Sequence, residues 1–309
     1  MPFDFATVSA PFRMQPGLRR MAPGAPQLTP NTADARALHE KLAVLQHHAA
    51  QALLTVPDFD ASPALQALMR QAATEHPGAF AWDGALAFEA MGLGWSIRGS
   101  ALQGDGPPAI GACLRALPAR WQLPGLLSLA LAEDFAVIDG ATARIPWLAV
   151  CLPSRWAPEE KVGRHFAEVH APVADNQLLL TAADHLARLV TGSERWERFV
   201  WTVTAEPRLM QHPQHVPATG WPSALNAGDL AARASFRTEH QTFIPLGQAR
   251  QAVFTIGVEC RPLVDAIDTP ARALQLHDAL ASMTDAVLAY RGLGDARDRL
   301  LIWLSARAG

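Results

Sequence analysis

The sequence contains little cysteine, and its few cysteines are far apart. Cys113, Cys151 and Cys260 form no CxxC pair, and their number is odd. This pattern argues against a disulfide framework, a structural zinc site and a c-type haem attachment site. Isolated thiols are typical of a reducing compartment, so we expect a cytoplasmic protein.

Long hydrophobic runs and an excess of basic charge are also absent. The most apolar run, LPGLLSLALA at 123–132, is shorter than the about 20 residues that span a bilayer. The N-terminal sequence lacks the basic start and apolar run of a secretory signal. Lysine occurs only at Lys41 and Lys161, and the net charge is −3. We therefore expect neither a membrane nor a nucleic acid as a partner.

Nucleotide-binding motifs are missing as well. The sequence has no P-loop, and the glycines Gly92 and Gly94 do not follow a predicted strand, so they do not form a dinucleotide fingerprint. Flavin, nicotinamide and iron–sulfur motifs are also absent, which means that any redox chemistry needs electrons from elsewhere.

Half of the 309 residues are hydrophobic, which is enough for a large buried core. Residues 1–30 are rich in proline and have no clear hydrophobic period, which predicts an extended N-terminal arm. We interpret residues 31–309 as a single domain.

Helical and strand patterns are segregated along the chain. Helical patterns precede residue 76 and follow residue 268, whereas strand patterns lie near 127–152 and 198–259. Residues 92–125 are broken by glycine and proline and predict loops, and LLSLALA predicts a strand. This segregation predicts an α+β fold, with an antiparallel sheet core flanked by N- and C-terminal helices.

The segment PEEKVGRHFAEVH predicts a helix over 158–170 that ends before Pro172. His170 joins the edge of the apolar stripe of this helix, and Gly163 lies two turns earlier on the same edge. Two interpretations are open. The imidazole can cap the C-terminus of the helix, or it can bind a metal or haem as an axial ligand beside the space that Gly163 leaves.

A second polar pattern lies in ASFRTEHQTF, which predicts a strand. The two-residue period places Arg237, Glu239 and Gln241 on one face. The row is either a solvated sheet face or the wall of a pocket, where an arginine beside a carboxylate binds a polar ligand or assists proton transfer.

Five segments form a set that covers nearly the whole chain: FRMQPGLRRM, LALAEDFAVI, CLPSRWAPEEKVGRHFAEVHAPV, RFVWTV and FRTEHQTFIPL with AVFTIGVECRPL. The third is the most specific, because it combines PSxWxPxxKxG with a helix and HAPV. In this order the segments resemble the family of the haem-dependent oxidative N-demethylase alpha subunit. The resemblance implies a PAS-like sheet that holds haem b.

The resemblance also implies which residues contact the cofactor. His170, in the HAPV motif, matches the expected axial ligand of the haem iron. Lys161, Arg164 and Arg198 are the residues expected to meet the haem propionates, since lysine and arginine pair well with carboxylates.

Catalytic roles follow for two residues of the polar row. The resemblance implies that Glu239 holds an ammonium-type substrate and that Arg237 stabilises the oxygen that the haem activates. The chain departs from the family pattern at two positions, because His240 stands where the family has arginine and Val200 where it has asparagine.

The implied activity is a monooxygenase-type oxidative N-demethylation of a small amine by dioxygen, with release of formaldehyde. A separate reductase or electron-transfer protein would supply the electrons. Two alternatives are open: a haem- or small-molecule-binding module that is sensor-like and does not turn over, and a haem-free scaffold subunit.

Overall fold

The computed structural model describes residues 3–85, 87–218 and 220–309, with all of their side chains except that of Gln248. This part of the chain contains two antiparallel sheets and thirteen α-helices.

The strands are β1 (Arg19–Arg20), β2 (Leu53–Thr55), β3 (Phe80–Trp82), β4 (Ala87–Ala90), β5 (Trp95–Arg98), β6 (Ala101–Gly104), β7 (Asp134–Asp139), β8 (Arg144–Ala149), β9 (Trp196–Thr204), β10 (Ser235–Pro245) and β11 (Gln251–Pro262). The helices are α1 (Arg36–His47), α2 (Ala49–Ala52), α3 (Ser62–Glu75), α4 (Pro108–Ala116), α5 (Ala119–Ala130), α6 (Phe166–His170), α7 (Gln177–Thr181), α8 (Ala183–Val190), α9 (Ala227–Arg233), α10 (Leu263–Ala266), α11 (Pro270–Ala281), α12 (Asp285–Tyr290) and α13 (Arg297–Ala308).

The larger sheet has seven strands in the order β1-β9-β10-β11-β7-β8-β2. Its three longest strands, β9, β10 and β11, are adjacent, and Glu239 of β10 pairs with Val200 of β9 and with Val258 of β11. The second sheet is the four-stranded meander β3-β4-β5-β6. The prediction of an α+β fold with antiparallel strands is confirmed; the PAS-like character of the sheet stays a prediction.

Helices cover one face of the larger sheet with two apolar cores. Phe135, Val137 and Trp147 belong to the first core, which α1, α3, α4, α5 and the small sheet complete. Trp201 and Phe236 belong to the second, which is built mainly by the C-terminal helices α9 to α13. The shorter helices α6, α7 and α8 cover the opposite face of the sheet.

Two predictions for the middle of the chain are wrong. Residues 92–125, predicted as loops, contain β5, β6, α4 and most of α5. Gly94 and Gly99 stand at turns and Pro108 in the first turn of α4, whereas Pro124 and Gly125 lie inside α5 and do not end it. The run LLSLALA, predicted as a strand, is the end of α5 up to Ala130. Almost every residue of this half of α5 is buried, so the run has no helical period and cannot be told from a strand by its pattern.

Residues 3–30 cross the surface of the body, mostly without regular structure. The side chain of Gln275 donates hydrogen bonds to the carbonyls of Phe5 and Val8 at 2.9 and 2.6 Å, and Arg19 pairs with Glu197 at 2.9 Å. The division into an arm (1–30) and one domain (31–309) stays a prediction. Among the described helices, none has both the length and the apolar character needed to cross a bilayer.

Candidate functional site

A cavity of about 380 Å³ lies between the open face of the larger sheet and the helices α6, α7 and α8. Met14, Pro16 and Leu18 of the N-terminal segment close one side of it. Its volume is within the range of small-molecule and cofactor sites. The apolar part of its wall includes Ile138, Leu148, Val169, Leu186, Phe254 and Ile256.

The polar row of β10 lies along this cavity. Arg237, Glu239 and Gln241 all belong to its wall, so the structure agrees with the pocket interpretation rather than with a solvated face. The departure at His240 lies on the other face of the strand, where its Nε2 is 2.8 Å from a carboxylate oxygen of Glu197. The departure at Val200 does line the cavity.

The prediction of one helix over 158–170 is wrong. Pro158–Glu160 is a single 3-10 turn, and α6 begins only at Phe166. Gly163 breaks the helix between them, since its φ of +75° is in the left-handed region that favours glycine. Its N–H donates to the carbonyl of Ile145 at 2.7 Å, so the segment follows β8 instead of coiling. A Cβ at Gly163 would meet Val56, and Gly163 is not among the described residues of the cavity wall that His170 joins.

His170 nevertheless reaches the cavity from the last residue of α6. Its Nδ1 donates a hydrogen bond of 2.8 Å to the carbonyl of Phe166, which is the capping contact of the first interpretation. Burial lowers the pKa of His170 to about 4; the bond to Phe166 opposes this change, and the nearby charges of Arg198 and Lys161 add to it. The neutral imidazole therefore carries its proton on Nδ1, and Nε2 keeps a lone pair without a partner among the described residues. This is the form in which imidazole binds a metal.

Of the three residues predicted to bind the haem propionates, two line the cavity and one does not. Arg198 of β9 lines the cavity, and its Nε is buried without a hydrogen-bond partner in the described part of the chain. Lys161 also lines it, with its Nζ 3.2 Å from the carbonyl oxygen of Val169. Burial lowers the pKa of both cations. Arg164 is exposed and is not among the described residues of the cavity wall, so the structure does not bring it to the site.

Glu239 and Arg237 are joined through a residue that sequence reasoning missed. The Ser154 hydroxyl donates to Oε1 of Glu239, and Nε of Arg237 donates to the same hydroxyl at 2.9 Å. The Gln241 amide donates to Oε2 of Glu239 at 2.6 Å. Ser154 stands in the PSxW motif, but its contact with a strand more than 80 residues later has no local signal in the sequence.

Arg291 and Tyr290, at the end of α12, are also part of the wall and were not predicted. Arg291 donates to the carbonyl of Trp201 at 2.5 Å, and its guanidinium lies 4.6 Å from the centre of the Phe12 ring. Burial lowers the pKa of Arg291 to about 10. The local sequence around a single arginine after a helix does not distinguish a cavity residue from a surface residue.

The cavity wall has a surplus of positive charge. Glu239 is the only carboxylate among its described residues, against five cationic side chains: Arg155, Lys161, Arg198, Arg237 and Arg291. Such a site suits a ligand that is largely apolar and carries more than one carboxylate. Among the described residues there is no group of three or more His, Cys, Asp or Glu side chains that could hold a bare metal ion. The wall thus fits haem, which brings its own four nitrogen ligands and needs a single imidazole.

The lowered pKa of His170 predicts a specific loss of stability in acid. The unfolded chain takes up a proton near pH 6.5 and the folded haem-free chain only near 4, so between these values acid favours unfolding. From pH 7 to pH 5 we expect the wild type to lose about 2 kcal/mol more of its unfolding free energy than His170→Gln. Urea unfolding of both proteins at the two pH values measures this; equal losses would show that His170 is not buried as a neutral base.

One comparison with known proteins bears on this site. The family model described as haem-dependent oxidative N-demethylase, alpha subunit-like, matches residues 35–301. The match covers most of the chain and includes β7 to β11, α6 and the polar row of β10.

Proposed function

The chain belongs to the haem-dependent oxidative N-demethylase, alpha subunit-like family, and on that premise we propose that it binds one b-type haem in the cavity and demethylates a small amine. The observation that carries the proposal is the state of His170. The imidazole is fixed by its Nδ1 bond to Phe166, its Nε2 has no partner among the described residues, and the residue belongs to the wall of the cavity. Hydrogen bonding of the second ring nitrogen to a carbonyl is how metal-binding histidines are commonly oriented.

Arg198 and Lys161 are proposed to hold the haem propionates. The unpartnered Nε of Arg198 is a buried donor that needs an acceptor, and a carboxylate supplies one. Both cations lie close enough to His170 to influence its pKa, so the iron ligand and the propionate partners belong to one site.

Glu239 is proposed to bind the substrate as an ammonium ion through the side of its carboxylate that faces the cavity. When bound, the haem supplies the activation of dioxygen and the oxidation of the carbon next to nitrogen. The overall balance is one amine, one dioxygen, two electrons and two protons giving the demethylated amine, formaldehyde and water. The electrons come from a separate reductase or electron-transfer protein in this proposal.

Arg198 and Arg164 form a matched pair that tests the propionate assignment. We expect Arg198→Gln to speed the loss of haem to an acceptor protein roughly tenfold, because a charge-assisted hydrogen bond is lost. Arg164→Gln should leave the rate unchanged, since Arg164 is exposed and outside the described cavity wall. Equal rates of haem loss in the two variants would show that Arg198 does not bind a haem propionate.

Turnover separates an enzyme from the other candidates. The haem-loaded protein is given dioxygen, a chemical reductant with an electron mediator, and a set of small N-methylamines. We expect formaldehyde to be formed in proportion to the amine consumed. A haem-loaded protein that forms no formaldehyde with any amine would favour the non-catalytic binding module, and a protein that takes up no haem would favour the scaffold subunit.

A further inference from the structure

The carboxylate of Glu239 is held from both sides by uncharged donors. Ser154 donates to Oε1 and Gln241 donates to Oε2 at 2.6 Å, so each oxygen has one bond from the protein. We infer that Ser154 and Gln241 are positioning residues that orient Glu239 to bind small alkylammonium cations in the cavity. We call Ser154, Glu239 and Gln241 the carboxylate clamp. This inference rests on the proposed function in taking Glu239 as the cation-binding group.

Arg237 fixes the direction of the Ser154 hydroxyl. Because the Arg237 guanidinium can only donate, its Nε–H occupies a lone pair of the Ser154 oxygen and directs the hydroxyl proton to Glu239. The other nitrogens of Arg237 donate to the carbonyls of Arg208 at 3.1 Å and Leu209 at 2.9 Å. The side chain is only 2% exposed. Arg237 therefore acts through Ser154 as a positioning residue, which differs from the catalytic role that the family resemblance implies.

The backbone around Ser154 is equally fixed. The N–H of Arg155 donates to the carbonyl of Gln211 at 3.1 Å, and the N–H of Gln211 donates to the carbonyl of Pro153 at 3.0 Å. The clamp thus joins the loop after β8, the segment near residue 210 and strand β10. A hydroxyl held in this way presents its hydrogen bond without further ordering, which is what a pre-organised binding group requires.

The clamp leaves the remaining lone pairs of the carboxylate for a ligand. A carboxylate has about four acceptor positions, and the two protein donors use two of them. The other charged side chains of the described wall are all cationic, so the clamp is the only position among them that carries negative charge. A mobile carboxylate could instead turn towards Arg198, whose guanidinium and Glu239 influence each other electrostatically. Holding Glu239 away from that pairing is the function that we assign to Ser154 and Gln241.

The test compares a cation with its neutral isostere. Isopropylammonium chloride and isopropanol are titrated into the purified protein by calorimetry or NMR, and the haem content of each sample is recorded by absorbance. We expect Ser154→Ala to weaken isopropylammonium binding roughly tenfold and to leave isopropanol binding unchanged. Ser154→Thr keeps the hydroxyl and should stay within about twofold of the wild type. Ser128→Ala is the matched control, because it removes a buried hydroxyl that has no partner among the described residues.

Several outcomes would overturn the inference. One is an unchanged affinity of Ser154→Ala for isopropylammonium. Another is an equal loss of affinity for isopropylammonium and isopropanol in this variant. The third is a wild-type protein that does not bind isopropylammonium. If Ser154→Ala does not fold, Gln241→Met carries the test, since its half-buried side chain faces the cavity, and the same tenfold loss is expected. Cation binding that depends on Ser154 in a protein without haem would support the clamp and contradict the proposed function. A protein that binds haem but whose cation binding does not depend on Ser154 would support the proposed function and contradict the clamp.

Discussion

His170→Ala should abolish haem retention in a protein that still folds. Removing the imidazole takes away the only histidine among the described residues of the cavity wall. Loss of an outer partner of a metal ligand already costs 10- to 100-fold in affinity, so we expect loss of the ligand itself to cost about 100-fold or more. The measurement is the Soret absorbance and the haem-to-protein ratio of the purified variant. Millimolar imidazole should restore part of the band by occupying the vacated position.

Two control variants separate ligation from general damage. His185→Ala changes an exposed histidine on α8 and should leave the haem content as in the wild type. Cys151→Ser tests the rival thiolate ligand and should have no effect either, because burial raises the pKa of this thiol far above its usual range and it is not among the described residues of the cavity wall. If His170→Ala keeps a normal Soret band and haem ratio, the ligand is elsewhere and His170 is only a helix cap.

Glu239→Gln should weaken the binding of alkylammonium cations by roughly 10- to 100-fold while leaving haem content unchanged. The substitution removes the only carboxylate of the described cavity wall. It also replaces one carboxylate oxygen by an amide NH₂, so one of the two donors, Ser154 or Gln241, loses its acceptor. Titration with isopropylammonium and isopropanol measures the change in preference for the cation.

Glu259→Gln is the control for this substitution. Glu259 is an exposed residue of β11 beside β10, so its charge is removed near the same sheet but outside the cavity wall. The affinity of the Glu259→Gln variant for isopropylammonium should equal that of the wild type. An unchanged affinity in Glu239→Gln, or the same loss in both variants, would contradict the role of Glu239 as the cation-binding group.

The sheet and its polar row could be predicted from the sequence because strand alternation is a local property. The period of two in ASFRTEHQTF is enough to put Arg237, Glu239 and Gln241 on one face, and the structure places all three on the cavity wall. The same period explains why the departure at His240 does not reach the cavity, since it lies on the opposite face with Glu197.

Features that depend on tertiary contacts could not be predicted. The break of the helix before α6 follows from the pairing of Gly163 with Ile145, which competes with helical hydrogen bonds only in the folded chain. Helical spacing therefore placed Gly163 beside His170 incorrectly. The propionate role of Arg164 was implied by the resemblance alone, and the structure leaves this side chain exposed. Ser154 meets Glu239 across 85 residues of sequence, and no local pattern signals such a contact.

The most direct test of the account is a haem titration of the wild-type protein. Haem is added in steps to the haem-free chain, and the Soret absorbance is followed together with a pyridine haemochrome assay. We expect saturation at one haem per chain, the haemochrome spectrum of haem b, and ligation of the iron by an imidazole nitrogen. Absorbance that rises without saturation, or saturates identically in His170→Ala, would contradict it.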